Sequence, residues 1–177
     1  GFSIVPPSPY LIEELLSTAI SLDPGSLPNA TSPPVKVSLA ATAGSQGPVT
    51  NLVFKLTLDK DFAPTGGTWT GTVNPPGGGT PYSVTGVDVT PMGETVLRVI
   101  EFTVNAAPNS AVLQAGQTLT LDVNINSNTT AGGIDDTEQL SVNVTGTLGG
   151  QSLSPSASVI ANRSVLSIAK SGPAEVT

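Results

Sequence analysis

The chain has 177 residues with no Cys, no His, 11% charged residues, 19 Gly and 16 Pro, a length that suits one sizeable domain and is short for two. Without His or Cys there is no Ser-His or Cys-His catalysis, no thiol redox chemistry, no disulfide, and none of the usual zinc, copper or haem ligand sets. A net charge of −7, six cations against 13 acids, argues against nucleic acid and anionic membranes as partners, and no run of about 18 apolar residues is present to span a bilayer.

The 38% hydrophobic content, counted without Gly, lies in the ordinary globular range once Gly is added, whereas charge falls well below the roughly 25% of typical domains. Gly plus Pro stays under the level of disordered low-complexity chains, so the chain is expected to fold. It opens on Gly1, which reads as a processed or excised start. Absent Cys leaves the redox compartment undefined.

In chain order, residues 1–7 read as extended and carry Phe2 and Ile4, two anchors suited to contact with another chain. Ser8-Pro9 supplies an N-cap and a first-turn Pro, with early acids at Glu13 and Glu14. Leu11, Leu15, Ala19 and Leu22 share one helical face that Ile12 and Leu16 widen, which predicts a helix from Tyr10 to Ile20, ending near Asp23-Pro24-Gly25. Residues 1–33 thus form an N-terminal arm whose helix either caps one open end of the next domain or contacts a neighbouring subunit.

From Val35 the period is two. Val35, Val37, Leu39 and Ala41 alternate with polar or small residues, as do Leu52, Phe54, Leu56 and Leu58, then Leu119, Leu121, Val123 and Ile125, and finally Leu140, Val142 and Val144. Alternation on a strand gives one apolar and one polar face. Thr68–Val73, Ser83–Thr90 and Thr95–Val104 are further strand candidates; in the last, Val96, Ile100, Phe102 and Val104 share a face that Arg98 interrupts, with Leu97 and Val99 opposite. Gly- and Pro-rich clusters at 43–48, 74–79 and 105–109 read as turns. Seven or more short strands without intervening helices predict an all-β fold, an immunoglobulin-like or jelly-roll-type antiparallel β-sandwich over 34–162, with a closed barrel as runner-up.

Two acidic clusters stand out, Asp59-Lys60-Asp61 and Asp135-Asp136-Thr137-Glu138. Calcium takes six to eight oxygen ligands. Asp135, Asp136 and Glu138 are the candidate set, with Asp59 and Asp61 as a second loop's contribution; the competing account is solvated loop carboxylates. No other cofactor is implied. Trp69 and Tyr82 flank the Gly-rich loop and either form a small glycan-binding spot or pack the core and edge. Gly77-Gly78-Gly79 lacks the following Lys and Ser/Thr of a phosphate loop. Asn29, Asn128, Asn143 and Asn162 open four glycosylation triplets, a number unsurprising with 41 Ser or Thr in the chain.

The run Arg163-Ser164-Val165-Leu166-Ser167-Ile168-Ala169-Lys170-Ser171-Gly172-Pro173 resembles the opening strand of the bacterial and archaeal surface repeat known as domain of unknown function eleven, in which an apolar-alternating strand precedes Lys-Ser/Thr-Gly-Pro. The likeness covers about 15 of the 177 residues. It implies an extracellular or cell-envelope protein with immunoglobulin-like modules and no catalytic residues. Residues 163–177 then read as the first strand of a following repeat, or as a donor strand: Val165, Leu166 and Ile168, added to a neighbour's sheet, would gain a ladder and bury their side chains. Together these features predict a non-enzymatic structural subunit of an extracellular filament or surface layer, partnered by copies of itself and possible surface glycans. The alternatives are a monomeric spacer or adhesive module, or a carbohydrate-binding sandwich.

Overall fold

The period-two segments become ladders. The computed structural model describes residues 14–27, 34–104, 112–126 and 137–162. Its strands, in chain order, are β1 (Leu16–Asp23), β2 (Val35–Ala43), β3 (Thr50–Asp59), β4 (Ala63–Pro64), β5 (Thr70–Asn74), β6 (Tyr82–Thr85), β7 (Val87–Asp88), β8 (Leu97–Thr103), β9 (Thr118–Asn126), β10 (Thr137–Leu148), β11 (Gln151–Leu153) and β12 (Ser156–Asn162). They form two six-stranded sheets, one in the order β1-β2-β9-β5-β6 with β4 also on β9, the other β11-β10-β3-β8-β7 with β12 also on β10. Every ladder is antiparallel. The expected all-β antiparallel sandwich is therefore present.

The alternating apolar residues of β2, β3, β9 and β10 face inward and are buried, and Phe54, Phe62 and Phe102 fill the centre. Each such side chain contributes about 1.5–3 kcal/mol when fully buried. Their polar neighbours line the outer faces. On the first sheet, Asp122 accepts hydrogen bonds from Ser38 Oγ and from Asn74 Nδ2.

The predicted N-terminal helix is not formed. Leu16–Asp23 is a strand, paired with β2 from Leu16↔Ala43 to Asp23↔Lys36. The physical reason is a second pattern in the same residues: Leu16, Thr18, Ile20 and Leu22 alternate with Ser17, Ala19, Ser21 and Asp23. A strand satisfies that alternation along an existing sheet edge, and the β-branched Thr18 and Ile20 favour it. The beginning of the predicted helix, 10–13, lies outside the described residues. Beyond β1, Leu27 is fully buried and its amide donates to the Asn162 carbonyl, so this part of the arm belongs to the sandwich core.

The predicted strand Ser83–Thr90 is broken in two, because the chain changes sheets at Gly86. β6 pairs with β5 in the first sheet and β7 with β8 in the second. The Gly86 amide still donates to the Trp69 carbonyl, while a Cβ there would lie 2.6 Å from Ile100 Cγ2 and 2.7 Å from Phe102 Cε1. Only Gly lets the backbone pass this close to the core.

Strand directions give the sandwich two distinct ends. β1 starts opposite the end of β2, which a short loop joins to the start of β3. β3 runs antiparallel to β10, and β10 to β12, so β12 runs in the direction of β3 and of β1. The Leu27–Asn162 bond places the ends of β1 and β12 together. The described chain therefore enters at one pole and leaves at the opposite one.

Candidate functional site

The two poles differ in chemistry. At the entry pole lie the loops 44–49, 75–81 and 149–150 and the segment 113–117, none of which contains Asp, Glu, Lys or Arg. Glu14, ahead of β1, is the charged described residue there. At the exit pole, β1 and β3 end in Asp23 and Asp59, followed by Lys60 and Asp61, and the β7–β8 hairpin adds Asp88, Glu94 and Arg98. Glu138, near the start of β10, sits at the same end and is buried at 9% exposure.

The hairpin is held by polar contacts. Glu94 accepts the amides of Val96 at 2.8 Å and Leu97 at 3.1 Å, which together, Val96 first, lower its pKa. Asp88 accepts the Thr90 hydroxyl and amide, and these bonds lower its pKa, aided by the Arg98 charge. Thr90 Oγ1 in turn accepts the Val99 amide. Lys60 ties the hairpin to the end of β3: its ammonium donates to the Glu94 carbonyl and its amide to the Val96 carbonyl. The Arg98 guanidinium lies 5.9 Å from the Trp69 ring centroid and 3.9 Å from Asp88, a cation–π and ion-pair arrangement that roofs the indole.

Trp69 is 7% exposed, at the exit end of β5. Tyr82 begins β6, at the entry end, opposite Val73. Its hydroxyl donates to the Val104 carbonyl at 2.9 Å, and burial raises its pKa. These two rings thus sit at opposite ends of one strand pair, not in one spot.

Of the candidate calcium ligands, Asp135 and Asp136 lie outside the described residues. Glu138 faces inward opposite Ala161. Asp59 Oδ1 accepts the Asp61 amide, a turn-forming bond. Among the described residues no three acids gather closely enough to hold a metal ion. The proposed subunit contacts Phe2, Ile4, Val165, Leu166 and Ile168 fall outside the described residues, as do Asn29 and Asn128. Asn143 lies within β10 with its amide engaged by Ser154 Oγ at 2.9 Å and Ser156 Oγ at 3.1 Å, bonds a glycan there would have to displace. Asn162 is exposed at the end of β12.

The feature that sequence reasoning missed is an apolar strip on the β7–β8 hairpin. The signal was available: Leu97 and Val99 share a face opposite Ile100 and Phe102, and that face is the outer one. Val87 and Val89 extend it, opposite Glu101 and Val99. No helix among the described residues is long and apolar enough to cross a membrane.

No family model matches the sequence, and no curated protein does. Solved structures match its fold. The full-length major pilin SpaD from Corynebacterium diphtheriae aligns at TM-score 0.58 and 12% identity over 83% of this chain and 34% of the pilin. A partial N-terminal region of the enterococcal surface protein aligns at 0.54 and 12%, over 93% of this chain and 46% of that one. AvmM, which catalyses macrocyclization in alchivemycin A biosynthesis, aligns at 0.57 and 9%, over 92% and 93%. This chain spans about a third of the pilin's length. The shared property is the β-sandwich, a fold that serves a pilin, a surface protein and an enzyme alike.

Proposed function

We propose that this chain is a non-enzymatic structural module of an extracellular filament or cell surface, joined to further copies of itself through its terminal segments. The observation that carries this role is the pole-to-pole path of the chain: β1 begins at one end and β12 finishes at the other. A unit so built transmits the chain axially, and a head-to-tail contact between such units is heterologous and propagates into open arrays. Low charge, hydroxyl-rich outer faces and the fold it has in common with a pilin and a surface protein support the same role.

In this proposal the joining chemistry is strand addition. Residues Val165–Ala169 of one copy extend the sheet of another, burying Leu166 and Ile168. β12 is the suited acceptor edge. The Val144 amide bonds to the Pro155 carbonyl, so by alternation the backbone groups of Ser156, Ser158 and Ile160 point away from β10. β12 carries neither charge nor Pro, whereas the β7 edge has two residues, an Asp88 turn and Pro91 beyond it. Deleting residues 163–177 should leave a folded monomer in sedimentation and abolish polymers seen by electron microscopy; undiminished assembly would refute strand addition by this segment.

A second role, a spacer or adhesive module repeated in tandem, is favoured by the same pole-to-pole path together with the Lys170-Ser171-Gly172-Pro173 resemblance. It predicts a monomer at high concentration.

A further inference from the structure

The strands that carry the described chain into and out of the sandwich are both edge strands, and they belong to different sheets. β1 borders the first sheet beside β2, and β12 borders the second beside β10. Because β1 and β12 run the same way, tension on the chain draws Leu16 out of the entry pole and Asn162 out of the exit pole, each along its own strand. Ladder hydrogen bonds lie perpendicular to the strands, so this pull strains all the bonds of a ladder together and not one pair at a time. β1 holds β2 through eight residues, and β12 holds β10 through seven.

Both strands are anchored best where the load enters. On β1, Leu16 is 4% exposed, whereas Ile20 and Leu22 further along are only partly buried. On β12, Ala161 is 0% exposed, whereas Ala157 and Val159 are partly buried. The Gly44 amide donates to the Leu15 carbonyl at 3.0 Å, which extends the β1 ladder outward by one residue, and the Leu27 amide donates to the Asn162 carbonyl at 2.8 Å beside the exit. Side chains cross-link the same ladders: Thr18 Oγ1 donates to the Ala40 carbonyl at 2.7 Å, and Asn143 Nδ2 donates to Ser156 Oγ at 3.1 Å.

We propose that β1 and β12 act as a pair of shear clamps, which make the sandwich a load-bearing unit under tension along its pole-to-pole axis. The inference rests on the axial role above and adds the mechanical task of a unit so placed. Rupture under force follows the unfolding rate and not the equilibrium stability. Resistance therefore depends on the direction of pull, and it belongs to these two ladders more than to the core as a whole.

Single-molecule force spectroscopy on the full chain tests this, and the absence of Cys lets a handle be attached at one chosen position. Handles at the two termini load the unit axially. Handles at the N-terminus and at Thr80→Cys, an exposed entry-pole position on the β5–β6 loop, pull across the first sheet and peel β1 from β2 pair by pair. At equal loading rate the axial rupture force should exceed the peeling force severalfold. Gly86→Ala crowds the crossing between the sheets and touches neither clamp, so it should lower the melting temperature and leave the axial force unchanged. Equal axial and peeling forces, or an axial force that falls with Gly86→Ala, would overturn the clamp. These readings are made on single chains and stand apart from assembly. A chain that stays monomeric in sedimentation yet resists axial load refutes the homopolymer and keeps the clamp; polymers whose units yield axially at the peeling force do the reverse.

Discussion

Replacing Gly86 by Ala puts a methyl group where the chain crosses between the sheets. The added carbon would lie 2.6 Å from Ile100 Cγ2, 2.7 Å from Phe102 Cε1 and 2.8 Å from Phe102 Cζ. Both side chains are fully buried on β8, which is fixed by its ladder with β3, so neither can retreat into solvent. Overpacking of this kind costs about 1–3 kcal/mol. The Gly86 backbone accepts an L-residue, so the stiffer unfolded chain offsets roughly 0.4–1 kcal/mol. The net loss is about 1–2 kcal/mol, which lowers the melting temperature of a chain this size by about 2–8 °C. Thermal and urea unfolding followed by fluorescence of the single Trp, Trp69, would read it. Gly25→Ala is the control, since nothing lies within 4 Å of its added carbon. Phe102→Leu removes the clashing ring, so the Gly86→Ala/Phe102→Leu pair should cost less than the sum of the single changes. A Gly86→Ala variant as stable as the parent, with additive pairing, would refute the crossing geometry.

Three further outcomes are expected. Leu27→Ala should cost about 2–5 kcal/mol in urea unfolding, because Leu27 is fully buried beside Asn162; a change below about 1 kcal/mol would mean this part of the arm is peripheral. Glu94 has its folded pKa held below the ordinary carboxylate value, so its hold on the hairpin is present at neutral pH and lost as pH falls through that depressed value. Protection factors of the Val96 and Leu97 amides, measured against their intrinsic exchange rates, should fall in acid, and Glu94→Gln should flatten this dependence; an unaltered profile contradicts the contact. Tyr82 has its folded pKa raised by burial, so its contribution is present below the ordinary phenol value and disappears as pH rises through the folded one. Alkaline absorbance titration should show a late-ionising tyrosine that Tyr82→Phe removes, at a cost of about 0.5–1.5 kcal/mol.

Much of the fold was legible because strict alternation over seven or more residues, as in Leu119–Ile125, fits a two-sided sheet and no helix. Leu16–Asp23 was misread because its leucines also satisfy a helical face; the open edge of β2, which decides between the two, is a tertiary fact that local pattern does not carry. β12 was hidden by composition, since Ser-Ala-Ser-Val alternation is weakly apolar and its inward residues are small. The break at Gly86 was invisible for a different reason: Gly in a strand pattern signals close approach, yet what it approaches, Ile100 and Phe102, is defined only by the packed sheets. The exit-pole surface followed the same rule. Leu97 and Val99 lie on the face of β8 opposite Ile100 and Phe102, and no layer among the described residues covers them.

Electron microscopy of the purified chain at high concentration tests the proposed role most directly. A head-to-tail array of these units should appear as filaments or sheets with an axial repeat of about 40 Å, the length of a twelve-residue strand such as β10. Dispersed single particles, with no repeat at that spacing, would contradict it.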